Sequence, residues 1–127
     1  MKTYVYALIK KGDLFLILKR PSDKNSYPDY WNLPGGKLEE NESETDCIKR
    51  EVMEETSLSF FPFIKIMDMI DFEGKEKKVI VYLGETNNTN LKLNKEHTEY
   101  SWVNPKEIKN KKIMPYIIKL FQEVERL

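Results

Sequence analysis

The sequence has little of what several common kinds of protein depend on. Its 127 residues include one cysteine, Cys47, and one histidine, His97. A single cysteine excludes an internal disulfide and suits a reducing compartment, and a lone histidine makes a zinc site of the His/Cys type very unfavourable. Basic and acidic side chains balance at 21 each, so the chain lacks the excess of positive charge with which proteins hold long nucleic acid.

Long apolar runs are also missing. The opening residues, MKTYVYALIKKGDLF, alternate apolar and polar positions, which favours a strand over a signal sequence. No stretch approaches the apolar length that a membrane span requires. We therefore expect a cytoplasmic protein that does not bind membranes, with residues 1–127 forming a single domain large enough for a core.

Short segments rich in β-branched and aromatic residues predict a sheet. Thr3–Ile9 and Leu14–Leu18 flank a turn-forming KKGD segment and should pair as a hairpin. Phe60–Ile70 predicts an extended and mostly buried strand. Val79–Leu83 predicts the next strand, after a charged hairpin tip at Gly74.

The remaining segments predict loops, a last strand and a C-terminal helix. Polar residues mark loops at Pro21–Tyr30 and Thr86–Asn90, and Tyr100–Val103 predicts a short strand. The expected C-terminal helix has apolar residues at helical spacing, which are Ile113, Ile117, Leu120, Phe121 and Val124.

Gly36–Leu58 is the segment around which the rest is organised. Its sequence, GKLEENESETDCIKREVMEETSL, places a glycine turn before a helix. Ser43 is a favourable N-cap, Asp46 can reciprocate as in a capping box, and the helix should end near Ser57. The side of the helix that can dock on a sheet consists of Thr45, Ile48, Val52 and Thr56.

The other side of this helix is acidic. Glu51, Glu54 and Glu55 occupy positions i, i+3 and i+4, so the three carboxylates should point the same way. Like charges in this arrangement weaken a helix unless solvent or a cation offsets them. Carboxylate oxygens suit Mg²⁺ or Mn²⁺, which typically serve phosphate chemistry. A generic glutamate-rich helix is more often a solvated surface, and these three positions alone leave that alternative open.

The full spacing resembles the Nudix box. The positions that match the box are Gly36, Glu42, Arg50, Glu51, Val52, Glu54, Glu55 and Leu58. One position departs from the box, because Ser57 stands where the family has glycine. A helix that ends there needs a left-handed residue, a conformation that costs a non-glycine residue about 1 kcal/mol.

This resemblance implies the fold and the reaction. It implies an α/β protein, an α/β/α sandwich with a mixed β-sheet, in which a catalytic helix follows a glycine-rich loop and another helix ends the chain. The implied reaction is metal-dependent hydrolysis of the pyrophosphate linkage in a nucleoside diphosphate derivative by attack of water on phosphorus, with Mg²⁺ as cofactor and Mn²⁺ as the alternative. A small nucleotide is the expected partner, and the chain is expected to be a monomer or a homodimer.

Substrate class follows from the same resemblance by exclusion. The family's ADP-ribose enzymes carry a proline where this chain has Phe72–Lys75. The remaining class is similar to the MutT-like enzymes, which convert a nucleoside triphosphate to the monophosphate and pyrophosphate. The alternatives are a non-catalytic Nudix-fold module that senses a nucleotide or binds a partner, and an RNA 5′-end pyrophosphohydrolase.

The resemblance also assigns catalytic roles. Glu51, Glu54 and Glu55 are implied to be metal ligands, helped by the backbone carbonyl of Gly35. One of these helix glutamates, or Glu96 from the later loop, is implied to be the general base. By contrast, His97 is expected to be an isolated surface or loop residue.

Other residues are expected to assist. Arg50 should orient a glutamate through a charge-assisted hydrogen bond, and Gly36 and Glu42 should support the metal site. The candidates for substrate contact are Lys19, Arg20, Lys37 and Tyr30.

Two of these assignments have competing interpretations. The cations Lys19 and Arg20 are equally consistent with a solvated strand end. The aromatic residues Tyr27, Tyr30 and Trp31 could stack on a base, but covering the edge of the core is the favoured interpretation.

Overall fold

The computed structural model describes residues 1–71, 76–87 and 90–124, the side chain of Val124 excepted. The predicted hairpin tip at Gly74 lies outside the described residues, as do positions 88 and 89 of the predicted loop. In the described part, a 3-10 helix spans Glu107–Asn110. The strands are β1 Lys2–Lys11, β2 Leu14–Lys19, β3 Trp31–Asn32, β4 Gly35–Lys37, β5 Phe61–Asp71, β6 Lys77–Glu85 and β7 Glu99–Val103, and the helices are α1 Glu44–Thr56 and α2 Pro115–Val124.

The strands form one mixed sheet. Its order is β3-β2-β1-β6-β5, with β4 added beside β1 and β7 beside β2. Strands β1 and β6 run parallel, whereas β1 and β2 form the predicted antiparallel hairpin, with Lys11 opposite Leu14. Strand β4 pairs with Tyr4–Tyr6 in β1, which holds the glycine-rich segment against the centre of the sheet.

A helix covers each face of the sheet. Alternate residues of β1 enter different clusters, since successive side chains of a strand point to opposite faces. Val5 packs in the cluster that contains Ile48 and Val52 of α1, whereas Leu8 packs in the cluster that contains Ile117 of α2. This arrangement is the predicted α/β/α sandwich. No helix in the described ranges has the length and apolar character needed to cross a membrane.

Local chemistry sets both ends of α1. The Ser43 hydroxyl accepts a hydrogen bond from the backbone N–H of Asp46 at 3.1 Å. At the other end, Ser57 adopts the left-handed conformation with φ of 63°, and its N–H donates to the carbonyl of Met53. The predicted helix bounds and the left-handed turn at Ser57 are therefore confirmed.

Strand β5 departs from the prediction of a mostly buried strand, which is wrong. Met67 is its one fully buried side chain among the described residues, while Phe63 is 62% and Ile64 58% exposed. The reason is that β5 ends the sheet, with β6 beside it, and two register shifts interrupt the alternation of its side chains.

Tyr27 and Tyr30 of the first long loop and Trp31 at the start of β3 cover the core, as favoured. Tyr27, Tyr30 and Trp31 are partly buried and pack on the α2 side of the sheet. Tyr27 and Tyr30 meet edge to face, with ring centroids 5.1 Å apart.

Replacing Ser57 by glycine should stabilise the protein by roughly 0.5–1 kcal/mol, because glycine adopts positive φ without the steric cost that serine bears. Urea denaturation at neutral pH measures this change. Ser59→Gly is the matched control, since Ser59 does not have positive φ, and it should lower the free energy of unfolding. Equal destabilisation by both substitutions would contradict the strained turn.

Candidate active site

One cavity joins the glycine-rich strand, the end of α1 and the loop before β7. Its volume is about 240 Å³. It brings together the predicted site residues Arg20, Gly35, Gly36, Glu55 and Glu96. The other lining residues are Tyr4, Tyr6, Lys24, Asn32 and His97.

The Glu51 carboxylate of α1 occupies the space where a side chain at Gly36 of β4 would begin. A Cβ atom at Gly36 would lie 2.5 Å from the carboxyl carbon of Glu51. The backbone N–H of Gly35 donates to the two carboxylate oxygens of Glu55 at 3.1 and 3.3 Å. These contacts fix the positions of two helix glutamates relative to the sheet.

Arg50 donates hydrogen bonds to three carboxylates. Its Nε and Nη2 donate to the two oxygens of Glu42 at 2.7 and 3.1 Å, a bidentate charge-assisted pair. Its Nη1 donates to Glu51 at 3.0 Å and approaches Glu54 at 3.4 Å. The hydrogen bonds from Arg50 lower the pKa of Glu42 to about 2. Glu42 therefore remains ionised and holds the guanidinium in place.

Glu55 is the most perturbed acid of this group. It is 1% exposed. Burial raises its pKa to about 9, opposed by the hydrogen bond from Gly35 and reinforced by the carboxylates of Glu51, Glu96 and Glu54. Burial also raises the pKa of Glu51. Without a cation, the Glu55 carboxyl is therefore protonated at neutral pH.

The three helix glutamates differ in exposure, which helical spacing did not reveal. Glu54 is exposed, Glu51 is half-buried, and Glu55 is directed to the Gly35 amide rather than to solvent. The carboxylates of Glu51 and Glu54 nevertheless converge on a single nitrogen of Arg50. Two oxygen ligands that already share one positive charge fit a hard divalent cation.

The loop before β7 is fastened to the end of α1 by its backbone. The N–H groups of Lys92 and Asn94 donate to the carbonyls of Thr56 and Glu55 at 2.9 and 3.2 Å. These hydrogen bonds satisfy carbonyl groups that have no partner within the helix, because they lie at its end. They also bring Glu96 beside Glu55, two residues that are distant in sequence.

His97 lies in this site rather than apart from it. A ring nitrogen of His97 and carboxylate oxygens of Glu55 and Glu96 all lie within 4.8 Å of one another. Burial, together with the charges of Arg20 and Lys24, lowers the pKa of His97 to about 4. The imidazole is therefore uncharged at neutral pH. His97 is a loop residue, as expected, but it is not isolated, since its half-buried ring lines the cavity.

Three predicted substrate contacts do not line the cavity. Lys19 pairs with Glu99 at 3.2 Å, Lys37 is exposed on β4, and Tyr30 packs on the core. Their roles toward substrate stay predictions. Arg20 does line the cavity, where its guanidinium also donates to the carbonyl of Ser26.

Sequence reasoning missed several lining residues. Asn32 is buried, and its Oδ1 accepts from the N–H of Leu33 and from the hydroxyl of Tyr116. A polar residue directly before the Leu33-Pro34 apolar pair was the available signal. Lys24 offered none, because its loop has no periodicity. For His97, the signal was its position next to Glu96.

The metal-free protein should lose stability as pH rises. The unfolded Glu55 carboxyl ionises near 4.5 and the folded one near 9, so the folded state holds one more proton between these values. This proton makes the free energy of unfolding fall by up to about 1.4 kcal/mol per pH unit, and Glu55→Gln should remove this dependence on pH. Urea denaturation in a chelator at several pH values measures the slope. The exposed control Glu40→Gln should keep the slope, and equal slopes in wild type and Glu55→Gln would contradict the assignment.

Comparison with known proteins agrees with this geometry. The family model of the NUDIX domain matches residues 2–124. A nucleoside triphosphatase NudI from Escherichia coli O139:H28 is 28% identical, with 84% of each chain covered. A MutT protein structure from Methanosarcina mazei Go1 superposes with a TM-score of 0.83 at 33% identity, covering 98% of this chain and 93% of the other.

A further solved structure shares the fold at lower identity. A NUDIX hydrolase from Nitrosomonas europaea superposes with a TM-score of 0.85 at 22% identity, covering 98% of this chain and 88% of the other. The family match spans nearly the whole chain, and its hydrolases use divalent metal ions. With the glutamate helix packed on the glycine strand, this protein belongs to the NUDIX family and is a Nudix hydrolase.

Proposed function

We propose that this Nudix hydrolase splits nucleoside triphosphates, ribo or deoxy, into the monophosphate and pyrophosphate. In this reaction water adds to phosphorus, and the bond to the departing pyrophosphate breaks. The observation that carries the proposal is the cavity whose lining includes the cations Arg20 and Lys24 together with Glu55 and Glu96. The printed names of the relatives, a nucleoside triphosphatase and a MutT protein, support the substrate class.

The charges of the cavity suit a polyphosphate chain held with a metal ion. Arg20 and Lys24 supply positive charge for phosphate oxygens that an ion leaves unpaired. Glu51, Glu54 and Glu55 would hold the ion, with the backbone carbonyl of Gly35 as the fourth proposed ligand. A bound Mg²⁺ or Mn²⁺ supplies charge neutralisation and lowers the pKa of a bound water.

The chain's own residues then keep the reacting groups in place. Arg50 fixes Glu51 and Glu54 through hydrogen bonds, and Glu42 holds Arg50 in place by accepting from its Nε. The proton of the attacking water passes to one of the helix glutamates or to Glu96. Gly36 has no side chain that would push Glu51 away from this arrangement.

A hydrolysis screen at mildly alkaline pH with Mg²⁺ tests the substrate class. It includes canonical and oxidised nucleoside triphosphates, ADP-ribose, dinucleoside polyphosphates, NDP-sugars and a 5′-triphosphate RNA. We expect nucleoside monophosphate and pyrophosphate from the triphosphates. Turnover confined to the RNA would favour the 5′-end enzyme. Nucleotide binding without any turnover would favour a sensing module.

Glu54→Gln should lower kcat by about 100-fold or more, because the glutamine amide has no negative charge with which to hold the metal ion. The measurement is steady-state release of pyrophosphate from the triphosphate that the screen selects. Asp46→Asn is the matched control, an exposed acid in the first turn of the same helix, and it should keep nearly full activity. Similar rates in Glu54→Gln and wild type would remove Glu54 from the proposed machinery.

Metal binding should separate the general base from the ligands. Among Glu51→Gln, Glu54→Gln, Glu55→Gln and Glu96→Gln, we expect one variant to keep Mg²⁺ affinity and lose turnover. That residue is the general base, because loss of a ligand weakens binding whereas loss of a base does not. Calorimetric titration with Mg²⁺ and the pyrophosphate assay supply the two values. Parallel loss of affinity and rate in all four variants would contradict a separate base.

A further inference from the structure

The imidazole of His97 has no part in the chemistry described so far. Its Nδ1 atom is buried, and no hydrogen-bond partner for it occurs within residues 1–71, 76–87 and 90–124. A buried polar atom without a partner costs free energy, so its surroundings should offer one when the site is loaded. A ring nitrogen of His97 lies within 4.8 Å of carboxylate oxygens of Glu55 and Glu96.

We propose that Glu55, Glu96 and His97 form a separate position for a divalent transition-metal ion, beside the carboxylates of Glu51 and Glu54. The inference deepens the proposed function and rests on it, since this second ion would face the same substrate. Glu55 has two carboxylate oxygens, which both accept from the Gly35 N–H, and it would be shared by the two positions.

The donor set determines the kind of ion. Two carboxylate oxygens with one imidazole nitrogen give three protein ligands, which leaves a coordination position open to water or substrate. Imidazole nitrogen suits Zn²⁺ and related transition metals, whereas Mg²⁺ prefers oxygen ligands alone. This position should therefore discriminate between ions that the oxygen-only carboxylates of Glu51 and Glu54 would not separate.

To bind one ion, the three ligand atoms must move slightly closer together. Ligand atoms bound at about 2.0–2.2 Å to one ion lie at most about 4.4 Å apart. The three ligand atoms lie within 4.8 Å of one another, so a shift of less than 1 Å on each side completes the set. Glu96 is exposed and its side chain can move, while its backbone N–H is held by the side chain of Asn94 at 3.0 Å.

The charges around this position permit a cation. Arg20 and Lys24 line the same cavity, and their positive charges disfavour a bound cation. The carboxylates of Glu55 and Glu96 face it directly, and Glu51 is close enough for its charge to act on Glu55. An ion here would offset the repulsion between the carboxylates of Glu55 and Glu96.

Because the chain has one histidine, ¹⁵N-labelled histidine gives a spectrum of the His97 ring alone. The probe is Zn²⁺, added to metal-free protein in the absence of nucleotide. We expect one ring nitrogen to shift until one equivalent is bound, and the same concentration of Mg²⁺ to leave the ring unshifted. Glu96→Gln should abolish the shift. Glu99→Gln is the matched control, because Glu99 is an exposed acid of the same segment that pairs with Lys19, and it should keep the shift.

Calorimetry supplies the second readout. His97→Gln should weaken Zn²⁺ binding at least tenfold and leave Mg²⁺ affinity unchanged. A ring that does not respond to Zn²⁺, or a shift that persists in Glu96→Gln, would overturn the proposal, the latter by showing that the imidazole binds Zn²⁺ alone. Neither measurement uses a nucleotide, so failure of the proposed hydrolysis and failure of this metal position give different results.

Discussion

Repulsion among carboxylates gathered at one end of α1 is the constraint on which the site depends. Glu51, Glu54 and Glu55 meet there, and Glu96 joins them from the loop before β7. Arg50 neutralises part of this charge through its contacts with Glu51 and Glu54. For the buried Glu55, the Gly35 amide offsets too little, so the carboxyl must keep a proton or receive a cation.

The sandwich holds this unfavourable cluster in place. Ile48 and Val52 bury one side of α1 against the sheet, which leaves the helix little freedom to move its acidic side away from β4. Burial of apolar side chains on both faces of the sheet supplies the stability that the charge cluster reduces. The absence of a side chain at Gly36 then leaves room for the carboxylate of Glu51.

Features that depend on neighbours in sequence were predictable. The ends of α1 followed from the capping chemistry of Ser43 and from the left-handed residue at Ser57, both of which act within one turn. The box spacing likewise identified Glu51, Glu54 and Glu55, because residues three and four apart share one side of a helix.

Features that depend on contacts between distant segments were not predictable. The apolar composition of β5 did not show that it is the last strand of the sheet. The position of His97 depends on hydrogen bonds from Lys92 and Asn94 to the end of α1, which no local pattern encodes. Lys19 likewise forms an ion pair with Glu99, a residue far along the chain.

We propose that the buried carboxyl of Glu55 exchanges a proton for a divalent cation. Calorimetric titration of metal-free protein with Mg²⁺ at neutral pH, in two buffers of different ionisation enthalpy, counts the protons released on binding. We expect release of close to one proton per ion in wild type and of almost none in Glu55→Gln. Binding of Mg²⁺ to wild type without proton release would contradict it.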